Sequence, residues 1–519
     1  MDQSTDYLDM VPVEVWAACW VLCTARQLRR ISLVCHLFRS ISLPLLLQHQ
    51  TFDLELLVSG IDRDNWMDRV CHLHRTAVRL DRLSAGPLIP LVRSWAVTFG
   101  PTPSTMHYPP QIRHIGLFDA IQSRVRRTFC TTLNLYRNLE TLYIVGLTFD
   151  PAMWNTLLAL PKLEDLHLHH SLVARDAGSG ATADGTQQVL MLRSLGLGHS
   201  SLLLDGFAGR RLDNLAHLFI GSVDDVEPFF RFLERCPRLE SLAIMSLESS
   251  ALKPFPPTCL PHLRSLNGPA GLIRLLAPDR PVSWAVIVDE FMVADERLKM
   301  DELMLTCSDL SRSSVSIHSL ALPRTSPTLE FLNRIVRMFP HVRELSLGIE
   351  SFHMPSYIVH PLFVPPEVEV EGDMELPEFC DAEAFDNLPK EELSDDESDD
   401  HPPIVVVPKE SSFSTDNPVE VVLEWITGGS IALSSDLEIL RLDAMGLPCE
   451  LELPKQHQAL ALLGARWPSL YEVQFGLWAS TWRRMGTLWK SDGKSPVRIL
   501  PDTHGVLSGT QEMASSQLA

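Results

Sequence analysis

The chain predicts an α/β architecture in which a small three-helix module is followed by a solenoid of parallel strands. Three observations carry that expectation. A Leu-x-x-Leu-x-Leu cadence recurs with successive starts 23 to 29 residues apart, which is the spacing of one strand-and-return unit. Helical stretches closed by Pro-x-Leu precede several of these units, as in Pro228–Cys236 before Leu239 and Leu329–Phe339 before Val342, so proline ends the helix where the strand begins. The first fifty residues lack the cadence and read instead as helix, turn, helix, turn, helix. At 519 residues the chain also exceeds what one compact core supports, and a stacked array answers that.

The module comes first. Pro12 suits the first turn of a helix, where a missing amide hydrogen is no loss, and no breaker interrupts Val13 to Cys23. Thr24 and Gln27 have capping-box spacing, which starts a second helix. A third is expected to start near Cys35. The first helix carries two apolar stripes, Val15/Cys19/Leu22 and Trp16/Trp20/Cys23. A surface helix normally needs one, so the second stripe is either core or an exposed partner patch.

The residues Val11-Pro12-Val13-Glu14, Leu28, and Ile31-Ser32-Leu33-Val34-Cys35-His36-Leu37-Phe38-Arg39 together resemble an F-box. The resemblance implies docking to the Skp adaptor subunit of a cullin-RING ubiquitin ligase, with Val11, Pro12, Glu14, Trp16, Leu28, Leu33, Val34, Cys35 and Phe38 as adaptor-binding positions. Val11 stands where leucine is usual. With three or four anchors each worth about 1.5–3 kcal/mol, one weaker anchor is tolerable.

The cadence then begins at Ile112 and continues at Leu139, Leu163, Leu192, Leu215 and Leu239, with less regular units at Leu263, Val282–Val288, Ile317, Val342, Leu437 and Leu470. These are leucine-rich repeats by period and pattern. Side chains alternate along a strand, so the fourth and sixth positions enter the core while the fifth faces the opposite, concave side. That fifth position holds Tyr143, His167, Gly196, Phe219, Ala243, Ala321, Ser346, Arg441 and Gln474. The mixture suits recognition of a protein over an extended surface, and Tyr143, His167, Phe219 and Arg441 are its candidate substrate contacts. The expected division is a module at 1–50, a connection or first irregular repeats at 51–111, the array at 112–364, an insertion at 365–418, last repeats and a cap at 419–500, and a disordered tail at 501–519.

The formal net charge is -21, which argues against a nucleic-acid partner. Most of it is local: sixteen acidic residues against Lys390 lie between Glu367 and Asp400. That stretch is expected to be a disordered insertion, and Ser394 before Asp395-Asp396-Glu397 resembles a site for an acid-directed casein kinase. The ten cysteines include no CxxC and read as reduced core residues. No leader and no apolar run of membrane-spanning length is expected, which points to the cytoplasm or nucleus and to no membrane partner.

Other signals carry less. His167 and His169 share a strand face but lack further ligands, so neither a metal nor a cofactor is expected. Gly178-Ser179-Gly180-Ala181 has no lysine to cradle phosphate. Arg26/Arg29/Arg30 and Arg124/Arg126/Arg127 read as solvated helix faces. Trp478, Trp482 and Trp489 suit a terminal cap better than base stacking. With no nucleophile, base or metal set to nominate, the expectation is a non-catalytic substrate receptor of a ubiquitin ligase. The alternative is a leucine-rich scaffold that joins no ligase.

Overall fold

The computed structural model describes residues 11–54, 66–99, 115–173, 189–198, 206–207, 210–247, 255–256, 258–288, 296–350, 417–445, 451–476, 481–486, 488–491 and 497–498. The chain divides into one compact unit of residues 1–351 with 418–519 and a second of residues 352–417. Residues 365–416 of the insertion, with Ser394, and Trp478 and the tail from 501 onward lie outside the described residues, whereas Pro418 opens a helix.

Three short helices open the chain: α1 (Val13–Trp20), α2 (Ala25–Ile31) and α3 (His36–Gln48). The first ends three residues earlier than its sequence allows, because Leu22 and Cys23 turn back to donate to the Cys19 and Trp20 carbonyls. Thr24 and Gln27 form the expected capping box: the Thr24 hydroxyl accepts from the Gln27 amide at 3.3 Å, and the Gln27 side chain accepts from the Thr24 amide at 2.7 Å. Cys35 caps α3, its Sγ accepting from the Phe38 amide. Trp20, Leu28 and Ile41 form the small core these helices share, with Trp16 and Phe38 packed on it.

Behind the module one sixteen-stranded sheet runs through the unit. Its parallel strands are β1 (His49–Leu54), β2 (Ser94–Phe99), β3 (Thr141–Val145), β5 (Asp165–His169), β7 (Ser194–Leu197), β8 (His217–Val223), β9 (Ser241–Leu247), β10 (Ser265–Pro269), β11 (Trp284–Val288), β12 (Ser319–Thr325), β13 (Glu344–Glu350), β14 (Ile439–Met445) and β15 (Glu472–Phe475). Two short segments, β4 (Thr148–Phe149) and β6 (Leu172–Val173), pair separately. The sheet closes with antiparallel β16 (Thr481–Met485), β17 (Leu488–Ser491) and β18 (Val497–Arg498). Helices α4 (Trp66–Ser84), α5 (Ile115–Thr132), α6 (Pro151–Leu158), α7 (Val226–Leu233), α8 (Ala270–Leu276), α9 (Glu296–Leu310), α10 (Leu329–Met338), α11 (Pro418–Thr427) and α12 (Leu453–Arg466) supply the returns between strands.

Register follows the leucines. Leu142, Leu166, Leu195, Leu218 and Leu242 stand opposite one another in successive strands and are buried, as are Ile144, Leu168, Leu197, Ile220 and Ile244 two residues on. A backbone device reinforces this at the entrance of each parallel strand of the main sheet from β3 onward. The Arg93 carbonyl accepts from the amides of both Glu140 (2.7 Å) and Thr141 (3.0 Å), and doubled bonds of the same kind recur at the carbonyls of Glu140, Glu164, Arg193, Ala216, Glu240, Arg264, Ser283, His318, Arg343 and Glu438. A carbonyl has two lone pairs, so one residue per repeat satisfies two amides of the next.

Two expectations about the start of the array are corrected. Ile112-x-x-Ile115-x-Leu117 is no strand unit, because Ile115 and Leu117 lie in α5. The helix is set by Ile121, Val125 and Phe129, spaced by four and all buried, a period that the three-residue cadence does not distinguish from its own. The sheet instead begins at β1 and β2, where Gln50 and Trp95 occupy the fourth position of the motif and Phe52 and Val97 the sixth. The chain is thus a mixed α/β protein with a long, repeat-built parallel sheet of leucine-rich type.

Candidate protein-binding faces

The module separates its two apolar stripes. Trp16, Trp20 and Cys23 pack inward, with Trp20 edge-on to Phe38 at 4.8 Å and Trp16 5.4 Å from the same ring. Val15, Cys19 and Leu22 face outward, Leu22 being 87% exposed. In the turn between α2 and α3, Leu33 and Val34 are 85% and 68% exposed. Pro12 and Glu14 are also exposed and Val11 is half-buried. Leu28 differs from its reading as a surface anchor: it is buried against Trp20 and Ile41 and serves the module's own core. Trp16, Cys35 and Phe38 are partly buried and sit between the two roles. The apolar side chains the module leaves exposed include Pro12, Val13, Val15, Val21, Leu22, Leu33 and Val34, of which Val13, Val15, Val21 and Leu22 are additions to the predicted set.

On the sheet, Tyr143, His167 and Phe219 come together on the face opposite the leucines. Tyr143 lies 6.2 Å from the His167 ring and 5.0 Å from that of His169, which in turn lies 5.9 Å from Phe219. His169 belongs to this cluster although it occupies the seventh repeat position and not the fifth; strand alternation is the signal that places it there. Glycine makes room for the rings. A Cβ at Gly196 would collide with the His167 ring, and one at Gly198 would lie 3.1 Å from His169 Nδ1. Burial holds the His167 imidazole below its ordinary pKa, and the nearby Asp165 only partly opposes this, so the ring is neutral at pH 7. Among the described residues no group of three or more His, Cys, Asp or Glu is placed to hold a metal ion.

Arg441 is not part of that cluster. It lies on β14 and binds Glu344 on β13 and, at 3.0 Å, Glu472 on β15; Arg483 on β16 binds Glu472 from the other side at 3.0 Å, and Ser319 donates to Glu344 at 2.9 Å. These groups link five neighbouring strands across the open face. Burial tends to raise the Glu472 carboxyl, but the hydrogen bonds from Arg483 and Arg441 outweigh it and hold the pKa below the usual value. The two carboxylate partners lie in neighbouring repeats, so only the strand register reveals them.

The cysteines divide by position. Cys236 and Cys307 are buried, with thiols pushed up to about 12 by burial, so neither is a thiolate at neutral pH. Cys19, in contrast to its reading as core, is exposed, and Cys23, Cys35, Cys71, Cys130 and Cys259 are half-buried. No described helix is long and apolar enough to cross a membrane.

No model of a known protein family matches the chain, and no curated protein matches it either. Among solved structures it is similar to an internalin from Listeria monocytogenes, at 16% identity over 42% of this chain and 71% of that one, with a TM-score of 0.20.

Proposed function

We propose that the chain is a non-catalytic substrate receptor: the module docks the Skp-type adaptor of a cullin-RING ubiquitin ligase, and the open face of the sheet holds a protein substrate. The observation that carries this reading is the module's surface, where Leu33 and Val34 stand largely exposed in a stretch similar to that of F-box proteins. Leaving two such side chains in water forgoes about 1.5–3 kcal/mol each, which a partner groove recovers. On the sheet, Tyr143, His167, His169 and Phe219 supply an aromatic surface of the kind that dominates protein interfaces. Holding a substrate beside an enzyme bound elsewhere raises its effective concentration, and no reaction on this chain is required. The cytoplasm and nucleus are where such a complex works.

One observation favours the second reading, a leucine-rich scaffold outside any ligase. Leu28 and Trp20 are both consumed in the module's own core, which leaves the module able to act as an amino-terminal cap of the sheet. Co-purification decides between the two. The full chain is expected to capture the Skp adaptor, and Leu33→Asp with Val34→Asp to lose capture while the thermal transition of the array stays unchanged. Absence of capture by the parent chain would eliminate the receptor reading.

A further inference from the structure

Helix α4 buries Leu73, Ala77, Leu80 and Leu83 and turns His72, Arg75, Arg79 and Arg82 to solvent. Spacings of four and three residues put the arginines on one face, spread over about 10 Å of helix. The acidic residue of this stretch is already engaged: Asp81 accepts from Arg124 Nη2 and from the Thr128 hydroxyl on α5. Among the described residues no carboxylate pairs with Arg75, Arg79 or Arg82. Like charges at this spacing oppose the helix by a few tenths of a kcal/mol per pair, so the face is a standing cost to the fold.

A second element adds to it. In residues 11–50 the charged side chains are Arg26, Arg29, Arg30 and Arg39 against Glu14 alone, and no lysine precedes Lys162. Burial, and after it repulsion from Arg29, lowers the Arg79 pKa; α2 and α4 therefore bring positive charge to one place. Arg79 is also held in position, its Nη2 donating to Gln50 Oε1 and its guanidinium lying 5.1 Å from the centroid of the Phe52 ring. A side chain already ordered has less entropy to lose when it binds. A guanidinium fork matches a carboxylate with two parallel hydrogen bonds, which a lysine cannot do.

We propose that the arginine face of α4, extended by Arg29 of α2, receives an acidic peptide segment of a partner protein. A short acidic segment fits better than a nucleic acid, because a face of about 10 Å matches two or three carboxylates bidentately, whereas holding a duplex or a single strand takes many phosphate contacts over a longer basic surface. The surface stands apart from the apolar docking face, and the inference does not depend on the adaptor reading.

The test uses the full chain and fluorescence anisotropy with a short labelled peptide alternating glutamate and glycine. Saturable binding is expected at about 50 mM salt, weakening at least about tenfold near 300 mM. Arg75→Gln with Arg82→Gln leaves Arg79 on Phe52 and Gln50, so the thermal midpoint should hold while affinity drops by about fivefold or more. Arg75→Lys with Arg82→Lys keeps the charge without the forks and should fall between the two. The proposal is overturned by absence of saturable binding to the parent, by undiminished binding to the glutamine variant, or by tighter binding of a single-stranded oligonucleotide or of phosphatidylserine vesicles than of the peptide.

Discussion

Arg280 is the clearest case of a residue whose role only the fold reveals. It is 2% exposed and donates to three backbone carbonyls, from Nε to Cys259 at 2.9 Å, from Nη1 to Leu276 at 2.9 Å and from Nη2 to Pro256 at 2.7 Å. Nothing in Ala277-Pro278-Asp279-Arg280-Pro281 announces this, since two of the three carbonyls, those of Pro256 and Cys259, come from more than twenty residues earlier. Arg280→Leu removes all three bonds and takes their side-chain donor from the Leu276 and Cys259 carbonyls, while Pro256 keeps the Cys259 amide; a loss of about 2–4 kcal/mol in urea unfolding is expected. His167 poses a different question. Its pKa is depressed in the folded state, so the unfolded chain binds more protons below about pH 6.5. Stability contributed by the neutral ring is therefore complete above that pH and declines as pH falls through the folded value. His167→Gln should flatten the fall in thermal midpoint between pH 7 and pH 5; an unchanged slope would assign the acid sensitivity elsewhere. The position of this histidine on the open face was legible from alternation alone, whereas its contact with Tyr143 and its seat against Gly196 needed the neighbouring strands.

Individual elements were legible where their signals are local. Thr24 and Gln27 specify the start of α2 from within four residues, and Thr24→Ala should cost about 1 kcal/mol, seen as a lower midpoint for the module's transition. Local signals fail where two periods overlap, as at Ile115–Leu117, and where polarity disguises a core position, as at Gln50, which is 2% exposed because Arg79 and the Leu46 carbonyl satisfy its amide. The charged links of β12 to β16 lie beyond any local pattern. Glu472 has a lowered pKa, so its stabilising contribution exists above the unfolded carboxyl value of about 4.3 and disappears as pH falls through the folded one. Thermal unfolding of Glu472→Gln should accordingly show a shallower acid limb below pH 4 than the parent. A parallel limb would mean that Arg441 and Arg483 are indifferent to their shared partner.

At the scale of the whole molecule, the period of the leucines announced a repeat array, and the sheet's long parallel run follows from it. The two ends were less visible because end repeats depart from the pattern. At the carboxyl end the antiparallel β16–β18 cover the last parallel strand, and Trp482 and Trp489 are 1% and 3% exposed within the main core. Trp482→Ala empties that position and should cost about 3–5 kcal/mol. With β15 left as an unprotected edge, the variant is also expected to associate with itself in light scattering. Intact solubility together with an unchanged midpoint would remove the hairpin from the role of cap. The strong acidity of residues 367–400 and the arginine-rich start give the chain opposite charges at different places along its length, a feature visible in the sequence whose seat on α2 and α4 was not.

The carbonyls that each serve two amides of the following repeat give the array a direction of failure. When one repeat loosens, its neighbour loses two bonds together at a single point, so damage travels more readily than it starts. Such a chain should open as a moving front that begins at an end or at a weakened repeat and runs along the sheet, with isolated breaches in the middle closing before they spread.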